Sequence, residues 1–173
     1  SENSGENRLT PWHNDPVRDL QGEVLYLRDE ETGTVWTPTP GPAGGDAPTL
    51  VRHGAGYTVF EQHSHGLRQR MRVFATRDDP VKVVQLRVEN ASRRPRRITA
   101  TDYVEWVLGV HRDGMQQYVV PEYDAGTQVM LARNPYHVEF AGRVAFLAAS
   151  KPLHDLTADR TEFLGRLGDL REP

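Results

Sequence analysis

Residues 81–90 read VKVVQLRVEN, and this stretch decides the fold of the chain. Its apolar and polar side chains alternate with a period of two, which is the pattern of a strand whose sheet has one face in water. The preceding Asp78, Asp79 and Pro80 are typical of a turn, because aspartate bonds nearby backbone groups and proline fixes φ. We therefore predict a β-strand over residues 81–90 that follows a tight turn.

Strand patterns of the same kind lie on both sides of this stretch. They cover residues 23–28, 34–37, 49–60, 66–75, 98–108, 129–133 and 142–149. The first two form a predicted hairpin, because a turn containing Gly33 joins them. Helix signals are weak, since twelve prolines and fifteen glycines interrupt the chain. About eight strands in series with short turns predict the all-β class and an antiparallel β-sandwich.

The composition is that of an ordinary globular domain. The chain has 173 residues, 37% of them hydrophobic and 26% charged, which is enough for one domain with its own core. A net charge of −3 excludes a strongly basic nucleic-acid binder. No apolar run approaches the roughly 20 residues that cross a bilayer, and no signal-peptide pattern opens the chain. The absence of cysteine fits a reducing compartment and excludes a thiolate nucleophile and a cysteine zinc site.

His63 and His65 are the strongest metal signal in the sequence. Residues i and i+2 of a strand face the same way, so the two imidazoles could share an ion, with His53 or Glu61 as a further ligand. The alternative is a pair of partly exposed histidines at a strand end, which we favour because no complete ligand set is evident. We therefore predict no metal and no cofactor.

Glu105 is the best candidate for a catalytic acid. Its neighbours Tyr103, Trp106 and Val107 are aromatic or apolar, and such surroundings raise the pKa of a carboxyl group by desolvation. Glu105 could equally point outward from its strand or pair with an arginine. We favour the structural interpretation and predict no catalytic residue in this chain.

The stretch RHGAGY, residues 52–57, is unusual for a strand. Two glycines one residue apart indicate a bulge or a close approach of the backbone. The flanking Arg52, His53 and Tyr57 could bind an anion or stack on a sugar. A purely architectural role for the two glycines is an equally good interpretation.

Several stretches, taken in order, carry a resemblance to a known family. They are WHNDP at 12–16, GEVLYLRD at 22–29, VWTP at 35–38, RHGAGY at 52–57, YVEWVLG at 103–109, ARNP at 132–135, FAGRVAF at 140–146 and DRTEFLGR at 159–166. Together they resemble the amino-terminal domain of glycoside hydrolase family 94, formerly glycosyltransferase family 36. This family holds cellobiose and chitobiose phosphorylases and cyclic β-1,2-glucan synthases, and the synthase branch is the most similar.

The resemblance implies a galactose-mutarotase-like β-supersandwich, followed in the parent enzyme by a linker and an (α/α)6 barrel. The family's supersandwich is longer than this chain, so we expect a bacterial fragment without its last strands. We expect residues 1–11 to be disordered or an added leader, and 12–173 to be a single domain. The catalytic acid and the phosphate site lie in the family's barrel, which leaves this chain non-catalytic. The parent would be a cytoplasmic enzyme, or an inner-membrane protein with this part on the cytoplasmic side.

The resemblance also leads to a functional prediction. We expect a carbohydrate-binding and substrate-shaping domain of a cyclic β-1,2-glucan synthase or β-glucan phosphorylase, whose partners are a β-glucan, the catalytic barrel and a second copy in a homodimer. The predicted sugar-binding residues are Trp12, Trp36, Arg52, His53, Tyr57, Arg112 and Gln116, with Arg112 and Gln116 on a loop toward the catalytic pocket. The alternative is a purely structural domain that supports the barrel and its dimer. A third hypothesis is a mutarotase-like enzyme that uses His111 and Glu105.

Overall fold

The computed structural model describes residues 7–12, 17 and 21–173. The regular secondary structure of the described chain is mostly antiparallel strand, so the prediction of an all-β fold is confirmed. The strands are β1 (Glu23–Asp29), β2 (Val35–Trp36), β3 (Thr49–Gly54), β4 (Tyr57–Ser64), β5 (Leu67–Ala75), β6 (Lys82–Asn90), β7 (Ile98–Val104), β8 (Val120–Asp124), β9 (Val129–Arg133) and β10 (Ala145–Ala148). The helices are α1 (Arg112–Met115), a 3₁₀ turn (Gln116–Tyr118) and α2 (Arg160–Leu164).

The chain divides into two compact units. Unit 1 holds residues 1–23 and 103–167, and unit 2 holds residues 24–102 and 168–173. The single domain over 12–173 stays a prediction. The boundaries fall inside β1 and β7, each of which has most of its residues in unit 2.

Unit 2 is a sandwich of two antiparallel sheets. One sheet has the strand order β3-β4-β5-β6 and the other has the order β2-β1-β7. Leu27 and Trp36 of the smaller sheet form the core with Leu67 of the larger one. Leu86 and Ile98 pack against this cluster from β6 and β7. Burial of such side chains stabilises a fold by about 1.5–3 kcal/mol each.

The strand predicted from residues 81–90 is β6. It pairs antiparallel with β5, where Leu86 lies opposite Met71 and Val84 lies opposite Val73. This register places the apolar residues of β6 on the inner face, as their alternation predicts. Because β6 is an edge strand, Val84 remains 39% exposed and Val88 remains 37% exposed.

Buried polar groups complete one end of the sandwich, which we call the closed end. The Trp36 indole Nε1 donates to Gln69 Oε1 at 2.8 Å. The carboxylate of Asp29, 1% exposed, is paired with Arg96. Arg96 also donates from Nη1 to the backbone oxygen of His65 at 2.8 Å. These bonds join both sheets of unit 2 to the connection between β6 and β7.

Unit 1 contains the third sheet, with the strand order β10-β9-β8. The sequence analysis missed β8 and expected a longer β10, over 142–149. Asp159 caps α2, because its Oδ1 accepts from the backbone of Thr161 at 2.8 Å. The helix then buries Leu164, which is 2% exposed, and stacks Phe163 on Tyr103 with ring centroids 5.5 Å apart.

One more predicted strand boundary requires correction, and part of the expected leader is described by the structure. β7 ends at Val104 instead of 108, because the amide of Glu105 donates outside the ladder to the oxygen of Gly22 at 2.8 Å. Residues 1–6 of the expected leader lie outside the described residues. Its described part is packed: Arg8 pairs with Gly109, and Thr10 is 2% exposed. No helix of the described chain is long and apolar enough to cross a membrane.

Candidate functional site

The stretch at 52–57 forms the β3–β4 hairpin. Its two-residue turn depends on Gly56, whose φ of 77° lies in the region that only glycine adopts freely. Gly54 serves a different purpose, because a Cβ there would lie 2.3 Å from the ring of Tyr57. The ring therefore lies directly against the backbone of β3. Of the two structures that the glycines indicated, the close approach is present, and a tight hairpin turn takes the place of a bulge.

The ring of Tyr57 is fixed from the other side by Arg72. The Arg72 guanidinium lies 4.7 Å from the centre of the Tyr57 ring and 5.1 Å from that of Phe74. Its Nε is buried without a hydrogen-bond partner in the described part of the chain, so the two aromatic faces are its main contacts. Gly54 and Arg72 belong to the two strands that flank β4, and Tyr57 between them remains 39% exposed.

A shallow open groove of about 340 Å³ follows this hairpin. Its lining includes His53, Tyr57, Phe74 and Lys82, together with the backbone of the two glycines. The His53 ring is held in place by a 3.0 Å hydrogen bond between its Nδ1 and Thr58 Oγ1. The groove thus combines aromatic surface with a few fixed polar groups, as small-molecule sites commonly do. We call this region the open end of unit 2.

Lys82 at the groove interacts electrostatically with Asp102 of β7. Burial raises the pKa of Asp102 to about 6, against the opposing effect of the Lys82 charge. Burial likewise lowers the pKa of Lys82, and the Asp102 charge opposes that change. Both residues nevertheless have exposed surface. Partial burial therefore disfavours the charged form of each group, while solvent still screens the two charges.

Arg52 belongs to an ion-pair cluster on the outer face of the sheet, the face on which Tyr57 also lies. Successive side chains of a strand alternate between faces, so Arg52 and His53 point in opposite directions. Arg52 pairs with Glu61, and Arg70 of β5 lies 3.2 Å from the same carboxylate. The guanidinium of Arg52 is therefore engaged, and it does not line the groove.

Trp36 does not have the exposure that sugar stacking requires. It is 2% exposed, and its indole stacks on the ring of His65 with centroids 4.3 Å apart. The prediction is corrected here: Trp36 is a core residue of the closed end. Whether a tryptophan in a short edge strand is buried depends on whether the opposite sheet covers it. The local sequence does not show which residues the opposite sheet covers.

The histidine pair is also separated by the fold. His63 is exposed in β4, whereas His65 lies in the β4–β5 turn with a φ of 53°. The positive φ of His65 and of Gly66 gives the tight turn that suits a twisted hairpin. The two imidazoles therefore do not share a strand face. Within the described residues, no three histidine, aspartate or glutamate side chains converge as they would around a metal ion.

The remaining predicted residues lie in unit 1. Trp12 is 46% exposed, and the Arg8 guanidinium lies 5.0 Å from its ring centre. Gln116 opens the 3₁₀ turn and is exposed. Arg112 of α1 is bound to Glu105. Trp12 and Gln116 thus have surface to offer a ligand, while Arg112 is largely engaged.

Glu105 pairs with arginine, which is one of the alternatives that the sequence left open. Its side chain is 17% exposed and contacts Arg112, and Arg160 Nε lies 3.4 Å from its Oε1. The carboxylate is thus a connector between α1 and α2. Because two guanidinium groups contact its Oε1 and the side chain is largely buried, Glu105 is a poor candidate for proton transfer to a sugar. His111, its proposed catalytic partner, is exposed at the N-cap of α1.

Sequence reasoning missed several residues of the open end, namely Arg72, Phe74, Lys82 and Asp102. One signal pointed to the first of them: arginines alternate at 68, 70 and 72 along β5. Arg72 contacts the Tyr57 ring only because β4 and β5 pair with Tyr57 opposite Phe74. Lys82 and Asp102 are on different sheets, and no local pattern relates them.

Comparison with known proteins gives a consistent result. The family model described as glycosyl hydrolase 94, supersandwich domain, matches residues 1–173. Cyclic beta-(1,2)-glucan synthase NdvB of Rhizobium meliloti (strain 1021) is 36% identical over 174 residues, covering 100% of this chain and 6% of that protein. N,N'-diacetylchitobiose phosphorylase of Vibrio furnissii is 30% identical over 175 residues, covering 96% and 22%. Solabiose phosphorylase of Paenibacillus borealis is 36% identical over 160 residues, covering 86% and 20%. The chain thus spans less than a quarter of each of these relatives.

Proposed function

The chain belongs to glycosyl hydrolase family 94 as its supersandwich domain, and we propose that it is a non-catalytic domain that binds and shapes a β-glucan substrate. Its parent would be a glycosyltransferase or glycoside phosphorylase whose catalytic barrel lies outside these residues. The similarity to a cyclic β-1,2-glucan synthase and to two phosphorylases supports an oligosaccharide as the ligand.

The groove at the open end is the observation that carries this proposal. Two residues singled out by their sequence motif, His53 and Tyr57, line it together. Sugars are bound by aromatic surface and by a few planar or hydroxyl groups that exchange hydrogen bonds with their own hydroxyls. The Tyr57 hydroxyl, the His53 ring and the Lys82 ammonium would supply those bonds, while Phe74 supplies apolar surface.

Calorimetric titration of the 173-residue chain with a β-1,2-linked glucotetraose tests the proposal. Replacement Tyr57→Ala is expected to weaken binding about five- to tenfold, since it removes both the hydroxyl and the ring that orders the groove. Tyr123→Ala is the matched control, because Tyr123 is 36% exposed and lies in unit 1. Equal affinities for the wild type and the Tyr57 variant would overturn the assignment of the groove.

A second candidate function is structural support, and an exposed apolar surface in unit 1 favours it. The register of β8, β9 and β10 places Val120, Leu131 and Phe146 on one face of their sheet, around the ion pair of Glu122 and Arg133. Val120 is 54% exposed and Phe146 is 50% exposed. Apolar surface of this kind marks a protein contact more often than a sugar site. The surface would pack on the barrel or on a second copy of the domain.

Sedimentation measurements test the structural alternative independently of any sugar. If the apolar face joins two copies, the wild-type chain dimerises at micromolar concentration and Phe146→Ser shifts it toward the monomer. Val138→Ser is the control, because Val138 is fully exposed and outside the sheet. A wild type that stays monomeric would exclude the homodimer and leave the barrel as the only proposed partner of this face.

A further inference from the structure

Unit 1 contains an aromatic stack that the sequence did not reveal. Tyr118, at the end of the 3₁₀ turn, and Tyr136, in the β9–β10 connection, have ring centroids 4.0 Å apart and an angle of 8° between ring planes. Tyr136 is 60% exposed, while Tyr118 is half-buried. No second ring or cation covers Tyr136 among the described residues. Its outer face is therefore open to solvent, and its inner face is backed by a parallel ring.

The stack is held in place by a buried anchor. Asn134 is 2% exposed and donates from Nδ2 to the backbone oxygen of Leu108 at 2.8 Å. Its Oδ1 accepts from the backbone amide of Tyr136 at 3.1 Å, which fixes the chain just before the ring. Asn134 thus fixes the backbone at Tyr136, and the stack on Tyr118 orients the ring, before any ligand arrives. A preformed surface reduces the ordering cost of binding.

An exposed tyrosine that is flat, fixed and backed by another ring is the surface on which a pyranose ring packs. The C–H bonds of a sugar ring carry partial positive charge and pack on the negative face of an aromatic ring. Gln116 and Gln117, on the same 3₁₀ turn as Tyr118, are both exposed. Their amides carry donors and acceptors that match sugar hydroxyls. Gln116 was already a candidate sugar ligand from the sequence.

We propose that Tyr136, supported by Tyr118, forms a second sugar-binding subsite in unit 1, which takes one glucosyl unit of a β-glucan by stacking. The class of ligand in this inference rests on the proposed function. The position of the subsite rests on the aromatic stack alone. It uses different residues from the groove of unit 2.

Saturation-transfer and chemical-shift NMR on the full 173-residue chain test the subsite with a β-1,2-linked glucotetraose and with cellotetraose. Stacking moves the sugar C–H resonances upfield through the ring current, and it shifts the Tyr118, Tyr136 and Gln116 signals. Tyr136→Ala is expected to remove these shifts and to weaken binding about three- to tenfold. Tyr136→Phe keeps the aromatic ring and is expected to retain both the shifts and the affinity. Tyr123→Ala again serves as the exposed-tyrosine control.

The outcomes separate the subsite from the proposed function. Shifts at His53 and Tyr57 with none at Tyr136 would overturn the subsite and leave the groove intact. Shifts at Tyr136 with none in the groove would retain the subsite and a sugar-binding role while overturning the groove. Equal binding of adenosine and glucan at Tyr136 would also overturn the proposal, because it would mark a general stacking surface. A folded Tyr136→Ala variant with unchanged shifts and affinity would do the same.

Discussion

The closed and open ends of unit 2 use the same residue types for opposite purposes. At the closed end, Trp36 is 2% exposed and donates its indole hydrogen to a buried glutamine. At the open end, Tyr57 is 39% exposed and keeps its hydroxyl at a groove. Arginine is likewise buried beside a carboxylate at one end, as Arg96, and placed over two rings at the other, as Arg72.

The difference shows how one sandwich separates stability from recognition. The Trp36 indole, the Asp29 carboxylate and the terminal nitrogens of Arg96 are paired inside the protein at the closed end, so changes there are expected to cost folding free energy. Polar groups of the open end face solvent, so changes there are expected to cost affinity. Substitutions at either end, and comparisons between the two ends, test this separation.

The largest effect is expected from Trp36→Ala. Removal of a fully buried indole leaves a cavity in the core and deprives Gln69 Oε1 of its donor. We expect the free energy of unfolding to fall by about 3–5 kcal/mol. Urea denaturation followed by circular dichroism measures this. Tyr57→Ala is the matched control at the open end, and a loss as large as that of Trp36→Ala would refute the separation.

The next largest effect is expected from Arg96→Met. This change leaves the Asp29 carboxylate buried without its cation, and an unpaired buried charge is strongly destabilising. Adding Asp29→Asn to the same chain removes that charge and is expected to restore part of the stability. Denaturation of the single and double variants measures the coupling. A double variant less stable than Arg96→Met would show that the carboxylate contributes without its partner.

The pKa of Asp29 gives the same pair a pH dependence. Hydrogen bonding by the backbone of Glu31, with help from Arg96, lowers the pKa of Asp29 below its ordinary 3.8, against the effect of burial. A lowered pKa in the folded state stabilises the protein above the unfolded pKa, and that contribution is lost as pH falls through the folded value. We expect the denaturant concentration at the midpoint of unfolding to decrease for the wild type as pH falls below 4. The midpoint of the double variant is expected to decrease less.

A smaller effect on stability is expected from Gly54→Ala. The added Cβ would meet the Tyr57 ring at 2.3 Å, and the ring has solvent into which it can rotate. We therefore expect a stability loss of only about 1 kcal/mol, together with a clear loss of affinity for the glucan. Titration and denaturation of the same variant compare the two quantities. Unchanged affinity with a large stability loss would contradict the assignment of this end to recognition.

The smallest effect is expected from Asp102→Asn, and it depends on pH. The folded pKa of Asp102 is about 6, above the ordinary 3.8, so the folded chain gains stability as pH falls from about 7 toward 4. Asparagine cannot ionise. The variant should therefore be more stable than the wild type at pH 8, by less than about 1 kcal/mol because solvent screens the charge. The difference should vanish at pH 4, and a difference independent of pH would contradict this explanation.

The sequence predicted the fold well where the signal was local. The alternation over 81–90 and the turn residues before it are properties of neighbouring residues, and β6 forms as they indicate. β8 was missed because Pro121, Glu122 and Asp124 resemble a loop. That segment becomes a strand only by pairing with β9, whose register no single segment determines.

The candidate site was predicted in part for the same reason. The two glycines of RHGAGY indicated a bulge or a close approach of the backbone. This local signal drew attention to the neighbouring His53 and Tyr57. The arginine over Tyr57 comes from a cross-strand diagonal, and the Tyr118–Tyr136 stack joins residues 18 positions apart. Burial of Trp36 depends on the opposite sheet. Contacts between distant segments were therefore what the sequence could not supply.

The most direct test of the account is an NMR titration of the 173-residue chain with β-1,2-linked gluco-oligosaccharides, with cello-oligosaccharides for comparison. The account predicts saturable shifts at His53, Gly54 and Tyr57, while the buried indole signal of Trp36 stays unchanged. Groove signals that do not move at millimolar sugar, in a sample whose other signals show a folded chain, would contradict the claim that the open end binds a glucan.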